Sequence, residues 1–282
     1  VKNIQIRNIR EPSLSGSFTI SNLNSLLAEN DMVEKIHRHN FFYILTIKKG
    51  NGEHQIDFTN YPVNNCSVFI LRPGQVHQLL LKKGSKGYLM GFDASFYSPK
   101  EQQKRKAFRE ASFNNFYSFE TQYFSSLISV LECIFQEYSN REIMYKEYIK
   151  ANLDIFFIEL FRQSNKSNIL THNNLHFQEL FDELMEMLEI HVHDHKQVTY
   201  YAEKLNLTSY QLNAITKNNS GKNCSQLINE RIILEAKRHL LATSNQVKEI
   251  AYHLGYDDPS YFIRFFKKHT EFTPEDFRQN FK

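Results

Sequence analysis

Two groups of side chains in this sequence have types and spacings that could do chemistry. The first lies between Pro259 and Lys268, where Ser260, Tyr261, Arg264, Lys267 and Lys268 follow one another closely. Cations interleaved with a ring and hydroxyls suit a polyanion, because ammonium and guanidinium groups meet phosphate and a planar fork of donors can read a base edge. The second group is imidazole: His37 and His39 one residue apart, His77 downstream, and the run His191-Val192-His193-Asp194-His195. Imidazoles ligate metals or line polar pockets. Alternate residues on a helix do not share a face, so the run at 191–195 reads as a helix end and a solvated turn, able to bind metal only adventitiously.

The elements that must position the first group are legible. Ile250, Ala251 and Leu254 recur at helical spacing, and Gly255 follows where a helix end favours a left-handed residue. Asp258 can cap a second helix whose first position, Pro259, lacks an N–H that would be unpaired there. Phe262, Phe265 and Phe266 form its apolar face, which leaves the cations outward. Thr273-Pro274-Glu275-Asp276 repeats the device for a last short helix. Upstream, residues 201–207 predict a short helix with Ala202 and Leu205 inward, and Thr208-Ser209-Tyr210-Gln211 has the capping-box pattern for a helix to about Lys217, packed through Leu212 and Ile215. Between these two helix-turn-helix units, Cys224 to Thr243 reads as one helix with Leu227, Ile228, Leu234, Leu240 and Leu241 buried and Glu230, Arg231, Glu235, Lys237 and Arg238 mostly wet. It spans roughly 30 Å, near the ~34 Å between successive major-groove faces of B-DNA.

Residues 196–282 resemble the C-terminal domain of AraC/XylS-type bacterial transcription regulators. The second-unit signature I-A-x-x-L-G-[FY]-x-D-x-S-Y-F-x-R-x-F-K-K, followed by T-P-x-x-[FY]-R, is matched almost throughout by Ile250 to Lys268 and Thr273 to Arg278. The resemblance implies major-groove contacts from Tyr210, Asn213 and Lys217 in the first unit and from Pro259, Ser260 and Arg264 in the second, with Lys267 and Lys268 also on the DNA side. Arg264 suits guanine and Asn213 adenine. Two departures stand out: Glu271 where the family usually has Gly, and Ala214 where many members carry a basic residue. His239, His253 and His269 read as ordinary helix-surface residues.

The first half reads as short strands. Residues 41–48 are β-prone, Gly50-Asn51-Gly52 is a hairpin signal, 53–61 alternates through Ile56 and Phe58, and 68–71, 77–81 and 87–92 follow, with a turn at Arg72-Pro73-Gly74-Gln75. Such spacing predicts a small barrel or jelly roll. His37-x-His39 with Gly50, then Pro73-Gly74-Gln75-Val76-His77, resembles the two cupin motifs of AraC-type sensor domains over about residues 15–95. Cupin enzymes add an acidic ligand to such histidines, but Tyr43 or Ile44 stands in its place. His37, His39, Tyr43 and His77 are therefore expected to line an effector pocket rather than hold a metal, and no cofactor is expected.

The implied fold is α+β: a cupin-like β-barrel over 1–96, an interdomain helical region over 97–163, a polar linker over 164–174 and an all-α double helix-turn-helix domain over 175–282. Helices are expected near 120–138 and 142–163. The second carries Tyr148, Ile149, Leu153, Phe156, Phe157, Leu160 and Phe161, a stripe that either packs on the barrel or forms a homodimer.

A length of 282 residues with 41% apolar and 14% aromatic content suits two ring-rich cores, although Trp is absent. The net charge of +3 argues against a global positive field. From Lys196 onward 13 Lys and Arg face 9 Asp and Glu, a local net +4. Cys66, Cys133 and Cys224 are odd in number and far apart, which speaks against a disulfide framework or zinc finger and suits a reducing cytoplasm. No apolar run suggests a membrane span, and no apolar signal segment opens the sequence. The expected function is transcription regulation on double-stranded DNA by a small-molecule effector, with RNA polymerase as a further partner. A cupin-type metal-dependent enzyme with an accessory DNA-binding domain is the alternative, and an architectural DNA-binding protein is third.

Overall fold

The computed structural model describes residues 5–7, 18–165 and 172–281, and these divide into two compact units near residue 168. Residues 166–171 of the expected linker, residues 15–17 of the cupin-like stretch and the opening Val1-Lys2 lie outside the described residues.

Strands dominate the first unit: β1 (Gln5–Arg7), β2 (Phe18–Asn22), a turn of helix α1 (Leu23–Leu26), β3 (Met32–His39), β4 (Phe42–Lys49), β5 (Gly52–Ile56), β6 (Thr59–Val63), β7 (Ser67–Leu71), β8 (Val76–Leu81) and β9 (Lys86–Phe92). Helix α2 (Gln102–Phe113), β10 (Phe116–Ser118), α3 (Thr121–Asn140) and α4 (Tyr145–Asn165) complete it. Among the described residues one sheet runs β1-β3-β8-β5-β6 and the other β10-β7-β4-β9-β2. Leu45, Ile47, Phe69 and Leu71 from the second sheet pack with Ile56, Val63, Leu79 and Leu81 from the first, so the two sheets enclose one core. The opposite parity of β4, β7 and β9, through Ile44, Val68, Ile70, Met90 and Phe92, packs on the helices. That double burial explains why β4 reads as an unbroken apolar run rather than an alternation.

Three expectations need correction here. Gly50-Asn51 joins strands of different sheets and is no hairpin. The stretch 53–61 is not one strand but the hairpin β5–β6, turning at Asp57 and Phe58 with φ of 43° and 72°. Two consecutive positive φ values suit the right-handed twist of the flanking strands, a demand usually met by Asn-Gly, so the residue types hid the turn. Strand β3 was not anticipated as an element, although it carries His37 and His39.

The stripe on α4 has a partner within its own unit. Ile149, Leu153, Phe156, Phe157 and Leu160 are buried with Phe124, Leu127 and Leu131 of α3 and the outer face of the second sheet. Tyr148 is about half exposed instead.

The second unit is α5 (His172–His191), α6 (Val198–Lys204), α7 (Ser209–Ser220), α8 (Cys224–Ala242), α9 (Val247–His253), α10 (Pro259–Thr270) and α11 (Pro274–Phe281). Helix α5 begins inside the stretch expected as linker. On α8 the buried residues are Leu227, Ile228, Ile232, Ile233, Ala236, Leu240 and Leu241, while Leu234 is only partly covered. Arg238, expected to be wet, is 4% exposed. Its guanidinium lies 2.7 Å from Glu235, which also holds Arg231 at 2.7 Å, and Arg231 reaches Glu189 of α5 at 3.2 Å. Such a chain offsets the cost of burying charge.

Candidate DNA interface and barrel interior

The turn between α9 and α10 is held by geometry that only a few residues tolerate. Gly255 sits at φ +68°, and a Cβ there would fall 2.0 Å from the carbonyl oxygen of His193. Lys196 clamps the same place, its Nζ donating to the carbonyls of His193 and Gly255 at 2.8 Å each. Burial lowers the pKa of this ammonium. The turn 191–195 is therefore not merely solvated, and Val192 is buried. His193 and His253 stand 5.3 Å apart by ring centroids, and His239 and His253 4.4 Å.

Asp258 caps α10 as expected, its Oδ1 accepting from Ser260 N at 2.8 Å. Phe262 and Phe266 are fully buried, and Tyr256 packs on Tyr261, Phe262 and Phe265. Packing that face turns Ser260, Tyr261, Arg264, Lys267 and Lys268 outward, while Pro259 is half-buried. The Arg264 side chain is 69% exposed and lies 3.8 Å from Asp258, an exposed ion pair of small worth. Arg278 fastens α11 to the scaffold by donating to the carbonyls of Leu240 and Asn245.

In the first helix-turn-helix the Thr208–Gln211 capping box forms on α7. Tyr210 is 84% exposed, and Ala214 and Lys217 also face outward. Asn213 does something else: its Oδ1 accepts from Cys224 N at 2.9 Å, so its carbonyl satisfies the start of α8. Burial pushes the thiol of Cys224 up to about 12.

In the barrel, β3 and β8 run antiparallel with His37 opposite His77, and inward parity brings His39 beside them. Nε2 of His39 lies 3.2 Å from Nε2 of His37 and 2.9 Å from Nε2 of His77. Tyr43, inward on the facing sheet, stacks on His39 at 4.9 Å. All four residues expected in the pocket thus come together. A fourth imidazole, His54 of β5, stands with Nε2 2.9 Å from Nδ1 of His77. Burial, helped by the charge of His37, pushes His54 down to about 3, which leaves it neutral. His54 was missed, though it shares the inward parity of Ile56 in a stretch whose alternation was visible.

Residues 28–100 match the family model of the AraC-like ligand binding domain, and residues 201–280 match a helix-turn-helix domain model. The chain is 24% identical over 258 residues to the HTH-type transcriptional activator RhaS of Citrobacter koseri, covering 86% of this chain and 87% of that one. It is 26% identical over 132 residues to the protein of the same name in Salmonella paratyphi B, covering 46% of each. Among solved structures it is similar to the C-terminal domain of the two-component response regulator yesN from Fusobacterium nucleatum, with 30% identity, 36% of this chain, 98% of that one and a TM-score of 0.34. It is also similar to ToxT from Vibrio cholerae, with 15% identity, 93% of this chain, 98% of that one and a TM-score of 0.43. With a ligand-binding domain model on its β unit and a helix-turn-helix model on its helical unit, the chain belongs to the AraC-type family of DNA-binding transcription regulators.

Proposed function

We propose that this regulator reads DNA with α7 and α10 together and that the interior of its β unit senses the effector. The reading is carried by the outward face of α10, where a capped, well-packed helix presents Arg264 beside Ser260, Lys267 and Lys268. Arg264 is the guanine-reading donor, Pro259 and Ser260 approach the same groove, and the two lysines meet phosphate. In the first unit Tyr210 and Lys217 face the duplex, while Asn213 anchors the start of α8 and so supports the reading helix from behind. At about 1.5 Å per residue, α8 is long enough to set two reading helices on successive major-groove faces.

Selection of binding sites from a random duplex pool, followed by footprinting of the full chain, tests this. The expected footprint covers two consecutive major-groove faces. Protection of one face alone would make the first unit structural.

His37, His39, Tyr43 and His77 converge inside an apolar shell, which supports their role in effector binding. Sensing, not catalysis, is the proposed role. An effector that tightens operator binding tenfold must itself bind operator-bound protein tenfold more tightly, about 1.4 kcal/mol. The relatives named as activators support RNA polymerase as a further partner, and work on DNA supports a cytoplasmic location. A homodimer through 120–138 and 142–163 would have to use exposed residues such as Tyr123, Tyr148 and Ile155, since the main stripe of α4 is covered.

A further inference from the structure

Inside the β unit, three imidazole nitrogens already face one another. One ring nitrogen each from His37, His39 and His77 lies within 4.8 Å of the others, with Nε2 separations of 3.2 Å and 2.9 Å to His39. Around a four-coordinate ion with bonds of ~2.0–2.1 Å, ligand nitrogens stand about 3.3 Å apart. The three residues are nearly fully buried, on paired strands whose register puts His37 directly across from His77.

One outer nitrogen sets its tautomer, and a second permits the same orientation. Nδ1 of His37 lies 2.7 Å from the carbonyl of Lys35. A carbonyl only accepts, so that nitrogen carries the proton and Nε2 presents a lone pair inward. Nδ1 of His77 lies 2.9 Å from Nε2 of His54; donating to it frees the Nε2 lone pair of His77 for the same centre. A second hydrogen bond on the far nitrogen is how metal-bound histidines are held in orientation. Without an ion, the inward nitrogens must share protons to avoid facing lone pairs. An ion accepts all three pairs at once.

We propose that His37, His39 and His77 bind a divalent transition ion of the zinc(II) class, with His54 as the positioning residue that fixes His77. The expectation from sequence that no metal is held here rested on the missing acidic ligand. An all-imidazole set does not exclude an ion; it selects against magnesium and calcium, which demand oxygen, and favours borderline ions. Tyr43 stacks on His39 at 4.9 Å and Phe41 lies tilted against it at 4.5 Å, so the centre has the scale of an ion. The inference names a ligand class for the interior already read as the effector site and rests on that reading.

The test uses the full chain, stripped by a chelator and dialysed, then loaded with zinc chloride and counted by elemental analysis. About one ion per chain is expected, and His39→Ala should retain none beyond background while keeping its far-ultraviolet circular dichroism. Cobalt chloride added to the wild type should give the intense visible bands of a tetrahedral nitrogen site, a readout that needs no variant. His54→Ala should hold the same number of ions with affinity lowered about 10–100-fold. His54→Gln, whose amide oxygen can accept from His77, should recover most of that loss. No ion in the wild type, equal loading of His39→Ala, or a cobalt spectrum of the fully hydrated ion would overturn the site. Duplex binding on the same samples keeps the two readings apart: intact DNA binding with no ion removes the metal and leaves the regulator.

Discussion

The two helix-turn-helix units of this chain are built by the same local rules and differ in what they present. Each second helix starts on a side-chain cap, Thr208 or Asp258, and each ends on a left-handed residue, Gly221 or Glu271. Each packs apolar side chains inward, Leu212 and Ile215 in one and Phe262 and Phe266 in the other. Outward, α10 offers Ser260, Tyr261, Arg264, Lys267 and Lys268, whereas α7 offers Tyr210, Ala214 and Lys217 and turns Asn213 back onto α8. The lesson is that scaffold and reading face vary independently: the buried side chains set where a helix lies, and the exposed ones decide whether it reads.

The largest test of that separation is Phe262→Ala. Deleting a fully buried ring should cost about 3–5 kcal/mol of stability in the second unit, seen as a lower denaturation midpoint. A change under 1 kcal/mol would mean that the α10 face is not anchored as described. Next comes Arg264→Ala, expected to cost about 1–3 kcal/mol of specific binding and to relax preference at one or two base pairs. Lys217→Ala should weaken all sequences alike and reduce the salt slope by about one. If both substitutions gave the same uniform loss, the contrast between the faces would collapse.

A third test concerns the joint between α7 and the start of α8, where Asn213 meets Cys224. The thiol of Cys224 is raised to about 12 by burial, so the folded state favours its protonated form. That contribution is complete below the ordinary thiol range near 9 and is lost as pH rises from there towards 12. The loss by pH 10 is on the order of 1 kcal/mol, measured by urea denaturation across pH and flattened in Cys224→Ala. Tyr201 and Tyr256 are raised by burial in the two units alike, so they do not distinguish them. The smallest pair is at the helix ends. Glu271 holds φ +67° with a side chain that disfavours it, so Glu271→Gly should stabilise by about 1 kcal/mol, and Gly221→Ala, at φ +72°, should destabilise by a similar amount. Opposite signs are required; melting temperatures moving the same way would refute the comparison.

Much of the helical unit was legible because its signals are local. Gly255, Asp258-Pro259 and the 208–211 box each act within one turn of chain, and the helices start and stop where those residues require. What escaped depended on distant partners. Arg238 looked wet because Glu235 and Arg231, on its own helix face, gave no sign of Glu189 of α5, which completes the chain, and the role of Asn213 became visible only with Cys224 beside it. In the barrel, the histidine pair and His77 were legible as a motif. Strand β3 was not recognised, and His54 joins the cluster through pairing across 23 residues that no local rule supplies. Asp57-Phe58 turned a chain that reads as one alternating strand, since neither residue advertises a left-handed backbone.

Strand β4 is the wall shared by two rooms. Tyr43 on one side touches His39, and the adjacent Phe42 and Ile44 on the other press against the layer that contains Phe92, Phe108 and Phe157. Close-packed interiors compress little, so a side chain displaced by even a fraction of an ångström around His39 has no slack to disappear into. The strand must carry the displacement through to the aromatic layer behind it, which makes that partition a direct mechanical link between the imidazole cluster and α4.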